Sequence, residues 1–253
     1  MSPSEPAYDQ GFYADMHGKS LGSSRIILSL LQQQLGTRSI LDLGAGQCAW
    51  GQSCLELGIS YLGVDGDHVI TNRLAVPLNN FLARDLTKPF LTDQVFDLAI
   101  CMEVGEHLPP ESAPVLVESL VRHAELVLFS AAIPWQGGTH HINERWQSWW
   151  AVIFKQHGYL PLDLLRPQVW SNGQVAEYYA QNAILYAKEG EPYNRILPLT
   201  IETIATNPIL DCIHPREYER KADMGRRRVS EIIQSLPRIT TRVIRNRISK
   251  TSP

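Results

Sequence analysis

The segment Ser39-Ile40-Leu41-Asp42-Leu43-Gly44-Ala45-Gly46, followed by Tyr61-Leu62-Gly63-Val64-Asp65, constrains this chain more than any other. An apolar run ends in an acid and a two-glycine turn, and a second apolar run ends in another acid. Short continuous apolar runs read as strands buried in a parallel sheet. Glycine lets the main chain approach a ligand closely, and a carboxylate at the tip of the next strand can accept two hydrogen bonds from a ribose. The pattern is that of an α/β sheet presenting a nucleoside-binding edge.

The alternation continues along the chain. Ile26, Ile27, Leu30, Leu31, Gln34 and Leu35 recur at helical spacing, which predicts a helix from Ser23 that Gly36 ends. Strands are expected over 39–43 and 60–64, with a helix over 49–57 between them. A short helix is expected over 69–75 and a brief strand over 80–83. Residues 96–102 and 126–133 read as buried strands on either side of a helix over 112–123. A helix over 143–157, with Asn143 as its cap, precedes strands over 159–165 and 183–188 spaced for an antiparallel hairpin. Strands and helices joined by short links predict a doubly wound, mostly parallel α/β sheet with helices on both faces.

At 253 residues the chain can bury one large core. A net charge of −3 gives no case for the whole molecule as a nucleic-acid binder. No apolar run reaches the roughly 18 residues of a membrane-spanning helix. The start, Met1-Ser2-Pro3-Ser4-Glu5-Pro6, lacks the features of a secretory signal. Cys48, Cys54, Cys101 and Cys212 form no CxxC pair, so free thiols in a reducing cytoplasm are expected. Residues 225–253 carry seven arginines and Lys250 against Glu231. That tail could meet nucleic acid or an anionic membrane, or remain a solvated helix, or pair with the acidic body of the same or another subunit. Oligomerisation stays open. The expected organisation is an N-terminal helical lid over 1–36, a catalytic domain over 37–190 and a C-terminal extension with the basic tail over 191–253.

The glycine turn admits two readings. As Gly44-x-Gly46-x-x-Ala49 it meets the dinucleotide fingerprint, with Asp65 near the distance for a ribose. Asp42 favours the other reading, because an ionised acid two residues before the first glycine would repel a pyrophosphate and attract a cation. S-adenosylmethionine carries a sulfonium and an ammonium and no phosphate.

On these residues the sequence resembles the class I S-adenosylmethionine-dependent methyltransferases, specifically a small-molecule or sugar-acting subgroup. The resemblance rests on Asp42-x-Gly44-x-Gly46, Asp65 ending the second strand, Asp85-Leu86 after the third, and Cys101-Met102-Glu103-Val104-Gly105-Glu106-His107-Leu108-Pro109 after the fourth. Cys48 departs from it, standing where many relatives have a third glycine. It implies a seven-stranded Rossmann-like sheet and S-adenosyl-L-methionine as cofactor. By resemblance, Gly44 and Gly46 would face the methionine part, with Asp42 near its ammonium. Asp65 would take the ribose hydroxyls, and Gly66 would let the adenine lie close. Asp85 would accept from the adenine amino group, Leu86 would pack its ring, and Cys101 and Met102 would line the sulfonium pocket. The segment around Tyr13 resembles a helical lid, where Tyr13 could cover the sulfonium or simply pack the terminus.

Methyl transfer needs an aligned acceptor, excluded water and, for some acceptors, a base. The segment 133–146 follows the fifth strand on the substrate-binding edge of such sheets and holds Gly137-Gly138-Thr139-His140-His141-Ile142-Asn143-Glu144. A loop of this form resembles one in bacterial enzymes acting on sugars and specialised metabolites. His141 is the leading base or acceptor-binding residue, with a capping or structural role as the alternative; His107 is second, and the resemblance favours for the Glu106-His107 pair a role buttressing the cofactor loop. Trp135, His140 and Trp170 are candidates for the acceptor wall. Trp146, Trp149, Trp150 and Ile153 form a helical stripe read as core. A metal held by His140, His141, Glu144, Glu106 and His107 is set aside, since adjacent histidines diverge and no HxH or HxxxH spacing occurs. The expectation is a methyltransferase acting at oxygen of a small molecule. The competitors are a nicotinamide-dependent oxidoreductase, for which no Tyr-x-x-x-Lys pair is present, and a cofactor-binding protein without catalysis.

Overall fold

The computed structural model describes residues 10–199 and 210–226, with side chains from residue 18 to residue 222 within those ranges. Contacts divide the chain into a compact unit ending at His214 and a second unit over 215–253. Of the second unit, one helix is described, and most of the basic tail lies outside the described residues.

In the first unit, α1 (Gln10–Leu35), β1 (Ser39–Leu43), α2 (Ala49–Glu56), β2 (Ser60–Asp65) and β3 (Phe81–Ala83) come first. Next are β4 (Leu98–Met102), α3 (Ala113–Val121), β5 (Leu126–Ser130), α4 (Gln147–Gln156) and β6 (Tyr159–Leu162). Then come α5 (Arg166–Val169), α6 (Glu177–Asn182), β7 (Ile184–Lys188) and α7 (Glu191–Ile196), and the second unit supplies α8 (Pro215–Arg226). One seven-stranded sheet runs β3-β2-β1-β4-β5-β7-β6. All neighbours pair in parallel except β7, which is antiparallel to both β5 and β6.

Each central strand is apolar on both sides because helices cover both. Ile40, Leu98, Ile100, Leu128 and Leu185 belong to a core shared with Ile27, Leu28 and Leu31 of α1 and Trp50 of α2. Their strand neighbours Leu41, Ala99, Cys101, Val127 and Ile184 fall in a second core with Leu116 of α3 and Trp150 and Phe154 of α4.

Several boundaries differ from the sequence expectation. Helix α1 starts well before Ser23. Its serines are absorbed by bonding: Ser23 Oγ donates to Lys19 O at 2.7 Å, and the Ser24 and Ser53 hydroxyls meet at 2.6 Å across α1 and α2. The helix expected over 69–75 reduces to one 3-10 turn at Thr71–Arg73, which has no buried residue to hold it. Helix α4 begins at Gln147, not at Asn143, and Trp146 takes the cap position without a side-chain bond. Its first donors are met from elsewhere, since Ser148 N–H donates to Asp211 Oδ1 at 2.8 Å. The expected stripe is buried at Trp150 and Ile153, whereas Trp146 is 37% exposed. Strands β6 and β7 pair antiparallel, yet α5 and α6 lie between them, so they are not a hairpin. Pro161 sits on β6, an edge strand, where a missing donor is tolerated.

Candidate active site at the carboxyl edge of the sheet

The strand order reverses between β1 and β4, and the loops after these two strands flank that crevice. In open α/β sheets this switch point is where ligands bind. The glycine turn after β1 is shaped by two constraints. Gly44 has φ +95°, and a Cβ there would fall 2.1 Å from Val104 Cγ2, so glycine lets the β4 loop close on the turn. Gly46 has φ +52°, and nothing lies within 4 Å of where its Cβ would be, so it borders open space. Cys48 holds the left-handed conformation at φ 62° without being glycine, at an expected cost of about 1–2 kcal/mol.

Two acids tie this turn to its neighbours. Asp65, at the tip of β2, accepts from Gly46 N–H at 2.7 Å through Oδ2 and from Gly66 N–H at 2.6 Å through Oδ1. Asp42 is 2% exposed, and its Oδ2 accepts from the Tyr61 hydroxyl at 2.8 Å. Burial pushes its carboxyl up to about 7, against the opposing effect of the Tyr61 bond. This corrects the sequence argument, which took Asp42 as fully ionised. Near neutral pH it is part protonated and repels a pyrophosphate less, although a bound cation would recruit its charged form.

The other residues expected around a nucleoside are placed as follows. Asp85 accepts from Thr87 N–H at 2.9 Å and from the Thr87 hydroxyl at 2.6 Å, with Lys88 Nζ 3.4 Å away. The Thr87 bonds hold its carboxyl below the usual range. Leu86 is buried in the core with Val64, Phe90 and Phe96. Cys101 and Met102 end β4 on opposite faces: Cys101 packs in the α3–α4 core, and Met102 in the core under α1 and α2. Strand alternation therefore prevents both side chains from lining one pocket. Tyr13 lies in α1, and its side chain falls outside the described residues.

The β4 loop carries polar residues into the crevice. Glu103, at φ 57°, accepts from Asn182 Nδ2 at 3.0 Å and from Gln136 Nε2 at 3.1 Å. Burial pushes its carboxyl up to about 7. Gln181 Nε2 donates to Gln136 Oε1 at 3.1 Å, which joins α6 to the loop after β5. Sequence reasoning assigned no role to Glu103, Gln136, Gln181 or Asn182, since only pairing across β4, β5 and β7 brings them together. Glu106 is 1% exposed, and burial raises its carboxyl well above the ordinary range, with the Glu103 charge adding to the effect.

The structure brings His107 and His141 together, their rings edge-on with centroids 4.9 Å apart. Desolvation, with His141 beside it, lowers the pKa of His107. His141 Nδ1 lies 3.0 Å from Glu144 Oε1. That carboxylate also accepts from Trp135 N–H at 2.9 Å and from Gly137 N–H at 2.7 Å. Asn143 is not a helix cap: its Nδ2 donates to Gly105 O at 3.2 Å, and its N–H donates to Glu106 O at 3.1 Å. His140 is exposed at φ 60°, and Trp135 is 87% exposed on the same loop. Trp170 packs against His214 at 4.7 Å and lines a recess with Asp163, Arg166, Pro167 and Cys212, a set disjoint from the residues around His141.

No protein-family profile matches the sequence, and no curated protein is significantly similar to it. Solved structures do share its architecture. A TehB-like SAM-dependent methyltransferase from Corynebacterium glutamicum aligns with TM-score 0.51 and 14% identity, over 73% of this chain and 100% of that one. The plantazolicin methyltransferase BpumL in complex with SAH aligns with TM-score 0.51 and 12% identity, over 70% of this chain and 87% of that one. Streptomyces venezuelae DesVI is matched at TM-score 0.40 and 18% identity over 50% of this chain, which spans 57% of that protein. The first two likenesses establish the fold: the chain has the Rossmann-like fold of the SAM-dependent methyltransferases.

Proposed function

We propose that this chain is a cytoplasmic S-adenosylmethionine-dependent methyltransferase acting on a small-molecule or sugar-like acceptor, at oxygen. The observation that carries the reading is the pair of acids at the switch point, Asp42 beneath the glycine turn and Asp65 at its rim. The residues present fit such a cofactor. Gly46 borders open space, the Asp65 oxygens each keep a lone pair beyond their backbone bonds, and Asp42 gains charge when a cation approaches. When bound, the cofactor supplies a methyl group on a positively charged sulfur.

The chain's own residues would do the rest. Asp65 would hold the ribose diol, Gly44 and Gly46 would border the methionine part, and Asp42 would offset positive charge from below. Asp85 would accept from the adenine amino group and Gly66 would border the adenine, although the His68 ring lies 2.4 Å from where a Gly66 Cβ would be; Leu86, buried in the core, would support the site from below. The backbone at the tip of β4, and not both the Cys101 and Met102 side chains, would form the floor near the sulfur. His141, oriented through Nδ1 by Glu144, leaves Nε2 to take an acceptor proton or to hold the acceptor, with His107 beside it. Trp135 and His140, exposed on that loop, are the proposed acceptor contacts. Trp170 packs against His214 in a separate recess and is left out of that wall.

A plantazolicin methyltransferase among the fold's solved examples is compatible with a specialised metabolite as acceptor. Four cysteines without disulfides support a reducing compartment. Among the described residues no helix is long and apolar enough to cross a membrane. The test is calorimetry of the folded protein with S-adenosylhomocysteine and, in parallel, NAD(H). Binding of the first is expected. Binding of NAD(H) alone, or of neither, would overturn the reading.

A further inference from the structure

We propose that Glu106, His107 and His141 form a binding site for a divalent first-row transition cation. One ligand atom from each of the three lies within 4.8 Å of the others. Ligands around a tetrahedral ion with bonds of about 2.1 Å stand about 3.4 Å apart, so side-chain rotations of about an ångström would close the site.

Glu106 points to the ligand. Its side chain is 1% exposed, and neither Oε1 nor Oε2 makes a hydrogen bond of full geometry, although the Glu106 and Ala132 N–H groups and the Glu103 carboxyl lie close enough to act on it. Native structures rarely leave a buried carboxylate in this state, and a bound ion is one of the few arrangements that resolves it. A proton shared with Glu103 would ease the repulsion between the two acids. Glu103 lies close enough to accept that proton while it also accepts from Gln136 and Asn182, but a shared proton alone leaves two imidazoles beside Glu106 unexplained.

The surroundings are built for fixed ligands. Glu144 engages His141 Nδ1 at 3.0 Å and leaves Nε2 as the ligating nitrogen, the usual arrangement of a carboxylate behind a ligating imidazole. Ile142 N–H and Asn143 N–H both donate to Glu106 O, at 2.9 and 3.1 Å, which staples the His141 loop to the turn carrying the other two ligands. A Cβ at position 138 would fall 2.2 Å from His141 Nε2, so Gly138 leaves that nitrogen its space. Two imidazoles and one carboxylate suit Zn²⁺, Co²⁺, Fe²⁺ or Mn²⁺ better than Mg²⁺ or Ca²⁺. The donors come from two loops, which is why sequence spacing alone argues against a metal. Three protein ligands leave positions open for oxygen atoms of an acceptor. With the ion bound, His141 Nε2 would be a ligand and would hold the acceptor through the ion instead of taking its proton; that use rests on the methyltransferase reading, whereas binding of the ion does not.

The full-length chain, stripped with chelator, is titrated with Zn²⁺ by calorimetry and with Co²⁺ by visible absorption. One equivalent is expected to bind, with Co²⁺ giving the d–d bands of a site containing nitrogen ligands. Glu144→Gln should weaken binding about 10-fold, and Glu106→Gln, His107→Ala and His141→Ala by about 100-fold or more. His157→Ala, at an exposed helix end, should change nothing. Glu106→Gln preserves volume, and circular dichroism confirms that each variant is folded. The proposal is overturned if wild-type protein binds no stoichiometric ion, or if folded Glu106→Gln binds as wild type does. S-adenosylhomocysteine binding by the same preparation reports on the cofactor site separately, so failure of one reading is distinguishable from failure of the other.

Discussion

Asp42→Asn should stabilise the protein in a pH-dependent way while weakening cofactor binding. The wild-type carboxyl is 2% exposed and is raised by burial from an ordinary 3.8 to about 7. In the unfolded chain it titrates near its ordinary value. The folded protein therefore retains a proton that the unfolded chain has lost, and wild-type stability falls as pH rises between about 4 and about 7. A shift of about three units corresponds to about 4 kcal/mol over the full window, at 1.36 kcal/mol per unit. Asparagine keeps an oxygen for the Tyr61 hydroxyl and cannot ionise. The stability of the variant relative to wild type should thus climb by about 3 kcal/mol between about pH 5 and about pH 8, then level off. Urea denaturation across that range measures it, because groups common to both proteins cancel. Calorimetry adds the second half. Wild-type affinity for S-adenosylmethionine should rise with pH through about 7 as Asp42 ionises, and the variant should show a weaker, flatter profile. A stability difference independent of pH would refute the reasoning, because Asp42 would then not titrate in this window.

Asp65→Ala removes the acceptor of the Gly46 and Gly66 N–H groups together with the proposed ribose acceptor, and should cost at least about 1 kcal/mol of S-adenosylhomocysteine affinity by calorimetry. Unchanged affinity would remove Asp65 from the site. His141→Ala should depress turnover far more than cofactor affinity once an acceptor is in hand, and the reverse pattern would assign it a structural role. Gly44→Ala should destabilise by about 2 kcal/mol or more in urea melts, because strain at φ +95° adds to a collision with Val104. Gly46→Ala, which meets no neighbour, should cost less, and equal losses would show that the Val104 contact is not what demands glycine. Trp150→Ala empties a buried site against Phe129 and should cost about 3–5 kcal/mol, seen as a lowered Tm.

The sheet was legible because its central strands are apolar on both faces and because β1, β2 and β4 run into glycine or an acid, a pattern that needs no tertiary information. Element ends were less so, for reasons specific to each. Helix α1 extends through serines that a propensity argument reads as a start, since their hydroxyls are satisfied within the helix or by α2. Helix α4 starts late because Asn143 has better partners in the β4 loop, and because Asp211, remote in sequence, meets the Ser148 donor. Neither competition is visible in a window of neighbouring residues.

The candidate site divides along the same line. Asp42, Asp65 and the glycines could be located because one motif carries them, but the charge of Asp42 depends on its depth, which only packing decides. Alternation along β4 could have warned that Cys101 and Met102 face opposite ways, since period two is a property of any strand. The grouping of Glu106, His107 and His141 is different in kind. Each was a candidate by type, and spacing argued against a shared ligand because the donors come from loops after β4 and β5. Those strands are neighbours, Met102 pairing with Ser130, so both loops leave the sheet at one place. The backbone of Ile142 and Asn143 then bonds to Glu106 and closes the distance. Sequence supplies the residue types at each strand end, and strand order decides which ends meet. Reordering the strands with the same loops would keep every motif and dissolve the site.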